Sequence, residues 1–516
     1  MSAPVYRVAP VRRVDEDFRA LPLQTLADAA LTRARELGAE HADLRVERVR
    51  DASVELRDAR LTSSGDDVDS GLAVRVVVDG TWGFAAASAL TTDDAAALAE
   101  RAVELARVSR PLSTERVELA DEPVHAGQEW VSSYVIDPFA VPDAEKAALL
   151  EAWSRRLLDA GVSHVDASFR AVKEQKFYAD LAGTSTTQQR VRVHPEVTVV
   201  LVGESGMETM RTLAPPVGRG WEYVTGAAGE VAWHWDAELA ELPDLVREKL
   251  AAPSVEAGTY DLVIDPSNLW LTIHESVGHA TELDRALGYE AAYAGTSFAT
   301  LDQLGTLRYG SELMHVTGDR TVEHGLATVG FDDEGVATQE WDIVRDGVLV
   351  GYQLDRRMAR LHHLGDPPGR SNGCAFADSP EHVPMQRMAN VSLHPDPDGP
   401  DLAGLLAGVD RGIYVVGDKS WSIDMQRYNF QFTGQRFYRI ENGRLAGQVK
   451  DVAYQATTTD FWRSMSAVGG PGTFVLGGAF NCGKGQPGQV AAVSHGCPAA
   501  RFDGVRVLNT VQEAGA

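Results

Sequence analysis

The sequence runs to 516 residues, 44% of them hydrophobic and 24% charged, which excludes a disordered chain and exceeds what one ordinary hydrophobic core can organise. Its 74 acidic residues against 48 lysines and arginines give a formal charge of -26, which argues against nucleic acid and anionic membranes as partners. No apolar run approaches the roughly 20 residues that span a bilayer, and the Met1–Arg7 opening has no hydrophobic segment behind it, so a cytoplasmic protein without a membrane partner is expected.

Leu23, Leu26, Ala30, Ala34 and Leu37 recur at helical spacing and predict an amphipathic helix from Leu23 to Leu37, stopped by Gly38. His41 to Val49 alternates as a half-exposed strand. A second strand is expected from Ser53 to Leu61 and a more buried one from Gly71 to Val78. Helices are predicted over Asp93–Ala106 and Asp143–Leu158, the second closed by Gly161. The order helix, glycine, strand, turn, strand occurs first around Arg35–Asp43 and again around Leu158–Asp166. It is either an internal repeat or a chance likeness. A long alternating run from Arg190 to Gly203 adds a further strand.

Glu241 to Leu250 reads as a charged helix with Pro243 in its first turn, where proline is tolerated. Pro253 and Gly258 then punctuate the passage into a strand over Tyr260–Ile264. These signals divide the chain into residues 1–245 and 246–516. From Gly310 onward, short strands alternate with glycine, asparagine and aspartate, and the one clear helix is Tyr352–Leu361. A mixed or antiparallel sheet follows. The expected class is α+β, with an N-terminal mixed α/β domain followed by a β-rich C-terminal domain.

Asp265-Pro266-Ser267 offers a capped helix start that carries His274-Glu275-Ser276-Val277-Gly278-His279 into the C-terminal part. Histidines five apart sit about 140 degrees from each other on a regular helix, so a shared metal requires distortion. Gly278 is the place for it, through backbone angles open to glycine. The helix is therefore expected to be irregular or to end there. If both imidazoles meet one ion, zinc fits, with Glu275 left outside the coordination sphere as proton acceptor. Glu282 and Asp284 are candidates to accept histidine N–H bonds, or are solvated carboxylates. Satisfied structural histidines would explain the same pair. Three cysteines, Cys374, Cys482 and Cys497, make no disulfide framework. Cys482 is attractive as a third ligand because it lies in the glycine-rich Phe480–Gln486 stretch with Lys484 near enough to favour a thiolate. Buried free thiols remain the plain alternative for Cys374 and Cys497.

The His274–His279 segment with Glu282-Leu283-Asp284, then Gly330–Gly335, Pro384–Asn390, Tyr438–Arg444 and Cys482–Gln486, together with Gly71–Arg75 and Gly83–Ala85, closely resemble the TldD/PmbA family of metallopeptidases on its TldD side. These landmarks cover nearly the whole chain in family order. The resemblance implies that His274, His279 and Cys482 bind Zn2+ and that Glu275 is the catalytic base, and it selects Cys482 over the other two cysteines. It implies hydrolysis of small or unfolded peptides by the catalytic TldD-like subunit, paired with a related TldE/PmbA-like partner, with a homodimer as the alternative. The Val416–Ser422 stretch lacks the consecutive glycines usual there, which leaves substrate choice and partner contacts open. Rival readings are a regulatory or structural zinc-binding subunit and another zinc amidase. Ser297 has no nucleophile elbow and reads as a turn or capping residue; the His362-His363 pair and His315 read as surface or packed residues, with substrate binding the alternative, and the text around His324 carries no nucleotide signature. No phosphate-binding or dinucleotide motif is present.

Overall fold

The computed structural model describes residues 12–204 and 206–513, so the Met1–Arg7 opening lies outside the described residues. Its N-terminal part is a seven-stranded sheet centred on two long antiparallel hairpins. The first joins His41–Arg57 to Arg60–Val78 through Asp58 and Ala59, both in the left-handed region at φ 50° and 60°, the geometry that suits a two-residue turn between twisted strands. The expected Ser53–Leu61 strand is thus the end of the first strand and the start of the second. Alternation persists through the turn, so periodicity alone does not mark where the chain reverses.

The second hairpin joins His164–Asp180 to Ser185–Gly203. Each hairpin follows a helix: Leu23–Glu36 precedes the first, Asp143–Asp159 the second. The leading strands of the two units pair antiparallel, from Asp43 opposite Asp180 to Arg57 opposite Asp166. The helix, glycine, hairpin order seen twice in the sequence is therefore two like units side by side in one sheet. Leu26, Ala30 and Ala34 pack the first helix against Leu44 and Val46, while Leu150, Trp153 and Leu157 pack the second against Val165 and Phe169. Burying each such large apolar side chain stabilises the layer by about 1.5–3 kcal/mol.

A helix from Trp235 to Ala251 leads out of this layer, and Pro243 lies inside it rather than in its first turn. The helix begins earlier than its charged stretch suggests because Trp235 stacks on Trp153, ring centroids 4.8 Å apart. Beyond it the fold becomes β-rich. Gly258–Ile264 pairs in parallel with Arg411–Ile423 and antiparallel with Ala500–Asn509. The ring closes through Val452–Thr457 and Asn429–Glu441, which pairs back to Arg411–Ile423, making a small mixed barrel. Phe430, Phe432, Tyr454, Phe461 and Phe502 pack together in the core beside it. The helix expected over Tyr352–Leu361 spans Arg356–His362. Asp355 caps it by accepting the Met358 N–H, and Tyr352 stays outside as a hydrogen-bond donor to the Ala299 carbonyl. The architecture is α+β, mixed in the N-terminal region and richer in strands in the C-terminal one. Among the described residues no helix is long and apolar enough to cross a membrane.

Candidate metal centre

The helix Pro266–Ile273 starts at the end of the Gly258–Ile264 barrel strand, with the Asp265 carboxylate accepting the Ser267 N–H at 3.0 Å. Over His274–Gly278 it widens by one residue per turn, so that the His279 N–H reaches the His274 carbonyl, and it tightens again over His279–Thr281. The wide turn brings the two imidazoles together, ring centroids 4.7 Å apart. The irregularity expected at Gly278 is present, but for a different reason. Gly278 has φ -54° and ψ -61°, angles open to any residue. A Cβ there would lie 2.6 Å from the Met388 sulfur, so any larger residue forces the buried Met388 side chain to shift.

The third donor comes from the opposite side. The strand Val475–Lys484 forms a two-stranded antiparallel ribbon with Gln489–Cys497, and an extra residue is accommodated between Ala479 and Cys482. This bulge keeps Cys482 on the face shared by Ala479 despite the odd spacing. Cys482 Sγ lies 3.6 Å from His279 Nε2, and one donor atom from each of His274, His279 and Cys482 falls within 4.8 Å of the others, all buried. A tetrahedral zinc with ordinary bond lengths would hold a sulfur and a nitrogen about 3.5 Å apart, so the donor set fits that ion. Cys374 and Cys497 lie outside the group. Burial pushes the Cys374 thiol up to about 12, and Cys497 donates to the Pro266 carbonyl.

Electrostatics favour neutral imidazoles. Burial holds both His274 and His279 below the usual histidine range. Burial also raises the Cys482 thiol to about 11, with Arg387 pulling the other way. A thiolate at this place calls for a cation, which a metal supplies. The outer hydrogen bonds set the tautomers. His279 Nδ1 donates to Glu282 Oε2 at 2.8 Å. His495 Nδ1 donates to the Val391 carbonyl at 2.8 Å, which leaves its Nε2 to accept from His274 Nδ1 at 2.7 Å. Both metal-facing Nε2 atoms are thereby left as acceptors.

Asp284 binds no histidine. It accepts Lys484 Nζ at 2.8 Å, and Lys484 also reaches Glu282 Oε1 at 3.1 Å. The lysine expected to assist the thiolate is therefore committed to carboxylates. Burial opposes the charge on Glu282, yet Lys484 and the His279 hydrogen bond hold its carboxyl well below the ordinary range. Three participants are not singled out by the sequence: His495 is an isolated strand histidine, Arg387, within the Pro384–Asn390 landmark, donates to the Cys482 carbonyl at 2.6 Å, and Arg427 Nη1 meets Glu275 Oε2 at 2.5 Å. Ser297 is a turn residue, donating to the Ala280 carbonyl and accepting the Ala299 N–H.

His274, Glu275, His279 and Cys482 open onto a cleft of about 550 Å³. His194 and Arg211 from the N-terminal sheet line it together with Trp270 and Phe480, the His194 and Phe480 rings stacked with centroids 5.8 Å apart. The Val475–Lys484 strand pairs on one edge only among the described residues, and its backbone borders the cleft.

Models of the PmbA/TldA metallopeptidases match the chain twice, domain 1 over residues 42–106 and the C-terminal domain over residues 257–509. The chain belongs to the TldD/PmbA metallopeptidase family. A metalloprotease of Methanothermobacter thermautotrophicus is 28% identical over 482 residues, 91% of this chain and 96% of that one. The metalloprotease TldD homolog of Haemophilus influenzae is 27% identical over 492 residues, covering 91% and 93%. The crystal structure of TldE from Thermococcus kodakarensis superposes with a TM-score of 0.68 at 14% identity, over 93% of this chain and 99% of that one, a likeness of fold. Within this TldD/PmbA chain, the C-terminal match contains all three donors and Glu275.

Proposed function

We propose that this TldD/PmbA chain is the catalytic TldD-like subunit of a zinc-dependent peptidase acting on small or unfolded peptides. The observation that supports this most strongly is the buried convergence of His274, His279 and Cys482 beside Glu275 at the floor of a cleft. Zinc, when bound by these three side chains, supplies Lewis-acid polarisation of the scissile carbonyl and lowers the pKa of water. Glu275 lies outside the donor group and takes the proton of the attacking water, then delivers it to the departing amine. Arg427 holds one Glu275 oxygen, which leaves the other for the water.

An extended peptide lies along the open edge of Val475–Lys484, held by backbone hydrogen bonds that read little sequence. Residues 1–245 act as the substrate-handling and assembly part and residues 246–516 carry the metal. A related TldE/PmbA-like chain is the preferred partner, with a homodimer as the alternative, supported by the shared fold with TldE.

The test is peptide cleavage by the zinc-loaded chain, with and without a TldE/PmbA-like partner, against Glu275→Gln with zinc content measured. Removal of the base should lower kcat by about 100- to 10,000-fold while zinc is retained. A variant that cleaves at the unaltered rate sinks the assignment.

A further inference from the structure

The face of the N-terminal sheet that meets the C-terminal region is buried and charged. Several carboxylates at this junction are engaged by cations or backbone N–H groups. Glu174 accepts Arg190 at 2.8 Å and Arg192 at 3.0 Å, and Asp333 accepts Lys176 at 2.7 Å. Asp332 spends both oxygens on the backbone N–H groups of Glu334, Val336 and Ala375. Two guanidinium groups beside them are left with no carboxylate partner among the described residues. Arg320, 2% exposed, donates only to the carbonyls of Ala327 at 3.1 Å and Gly373 at 2.8 Å. Arg387, 1% exposed, donates through Nη2 to the Cys482 carbonyl, and its Nε and Nη1 find no acceptor. The Nε of Arg190 is also without one.

These three arginines line one small cavity, whose remaining walls include Ala327, Phe376 and Met388. Arg190 is paired with Glu174, but the Arg387 Nε and Nη1 have lost water without gaining an acceptor, which is unfavourable for a buried cation. A water molecule would satisfy hydrogen bonds but bring no charge. We propose that the cavity is a binding site for a small inorganic anion of the halide class, chloride, held by Arg190, Arg320 and Arg387. The cavity is small, which favours a compact anion. Through Arg387 the anion also steadies the strand that carries Cys482.

The experiment uses the full chain in two arms. Crystals grown in sodium bromide should show an anomalous peak between the three guanidinium groups. In solution at fixed ionic strength, replacing gluconate by about 0.1 M chloride should raise Tm by about 2 °C or more, as for any ligand that binds only the folded state. Arg387→Gln should lose most of that rise. A bromide map empty at the cavity, equal Tm in the two salts, or a full chloride response in folded Arg387→Gln overturns the proposal. Should the variant fail to fold, the bromide map on the unaltered chain decides.

Discussion

Between His274 and His279 the chain meets a local requirement with a local device, a single widened helical turn packed against Met388, whereas Cys482 stands 203 residues beyond His279 and reaches it on a bulged ribbon. The helical half depends on backbone spacing within six residues. The ribbon half depends on long-range contacts, above all Lys484, which ties the strand of Cys482 to Glu282 and Asp284 behind the histidines. One half joins residues close in sequence, while the other is brought in by long-range pairing.

The largest expected effect falls on the ribbon. Lys484→Met removes a buried cation from Glu282, Asp284 and Glu290, leaving only Arg285 beside the first and last. Denaturant unfolding in the presence of a chelator should show a loss of about 3–5 kcal/mol even without metal. Unchanged stability of the metal-free protein would break the view of Lys484 as the anchor between the halves. On the helical side, Gly278→Ala drives a methyl group into Met388 and should cost about 1–3 kcal/mol, read as a lower midpoint at unchanged m. Partial recovery in the Gly278→Ala, Met388→Ala double variant would sharpen the packing explanation over a backbone one. The smallest effect concerns orientation. His495→Phe removes the acceptor for His274 Nδ1 and should weaken zinc affinity about 10- to 100-fold, with little change in the fold. Zinc competition against a chromophoric chelator measures it, and equal affinity would mean that the histidine is oriented by packing alone.

The same contrast separates what was legible in the sequence from what was not. Alternation exposed the strands, and helical spacing exposed the Leu23–Glu36 and Asp143–Asp159 helices, because those patterns record which side of one element faces the core. The repeated helix, glycine, hairpin order was readable too, although its pairing strand to strand was not. The hairpin turn at Asp58–Ala59 escaped because alternation continues across it, and Pro243 misled because the helix start is set by Trp235 meeting Trp153, a contact between separate elements.

At the metal centre, the sequence by itself determined the His274–Glu275–His279 spacing, the need for a distorted turn, and, through family resemblance, Cys482. Only the tertiary structure decided that Gly278 answers a neighbour's bulk, that Lys484 serves carboxylates, and that His495, Arg387 and Arg427 attend the site. The physical reason is range. Periodicity and turn preferences act within a few residues, but which buried charges meet is settled by strand register and by the closure of the barrel, where each pairing depends on many others at once.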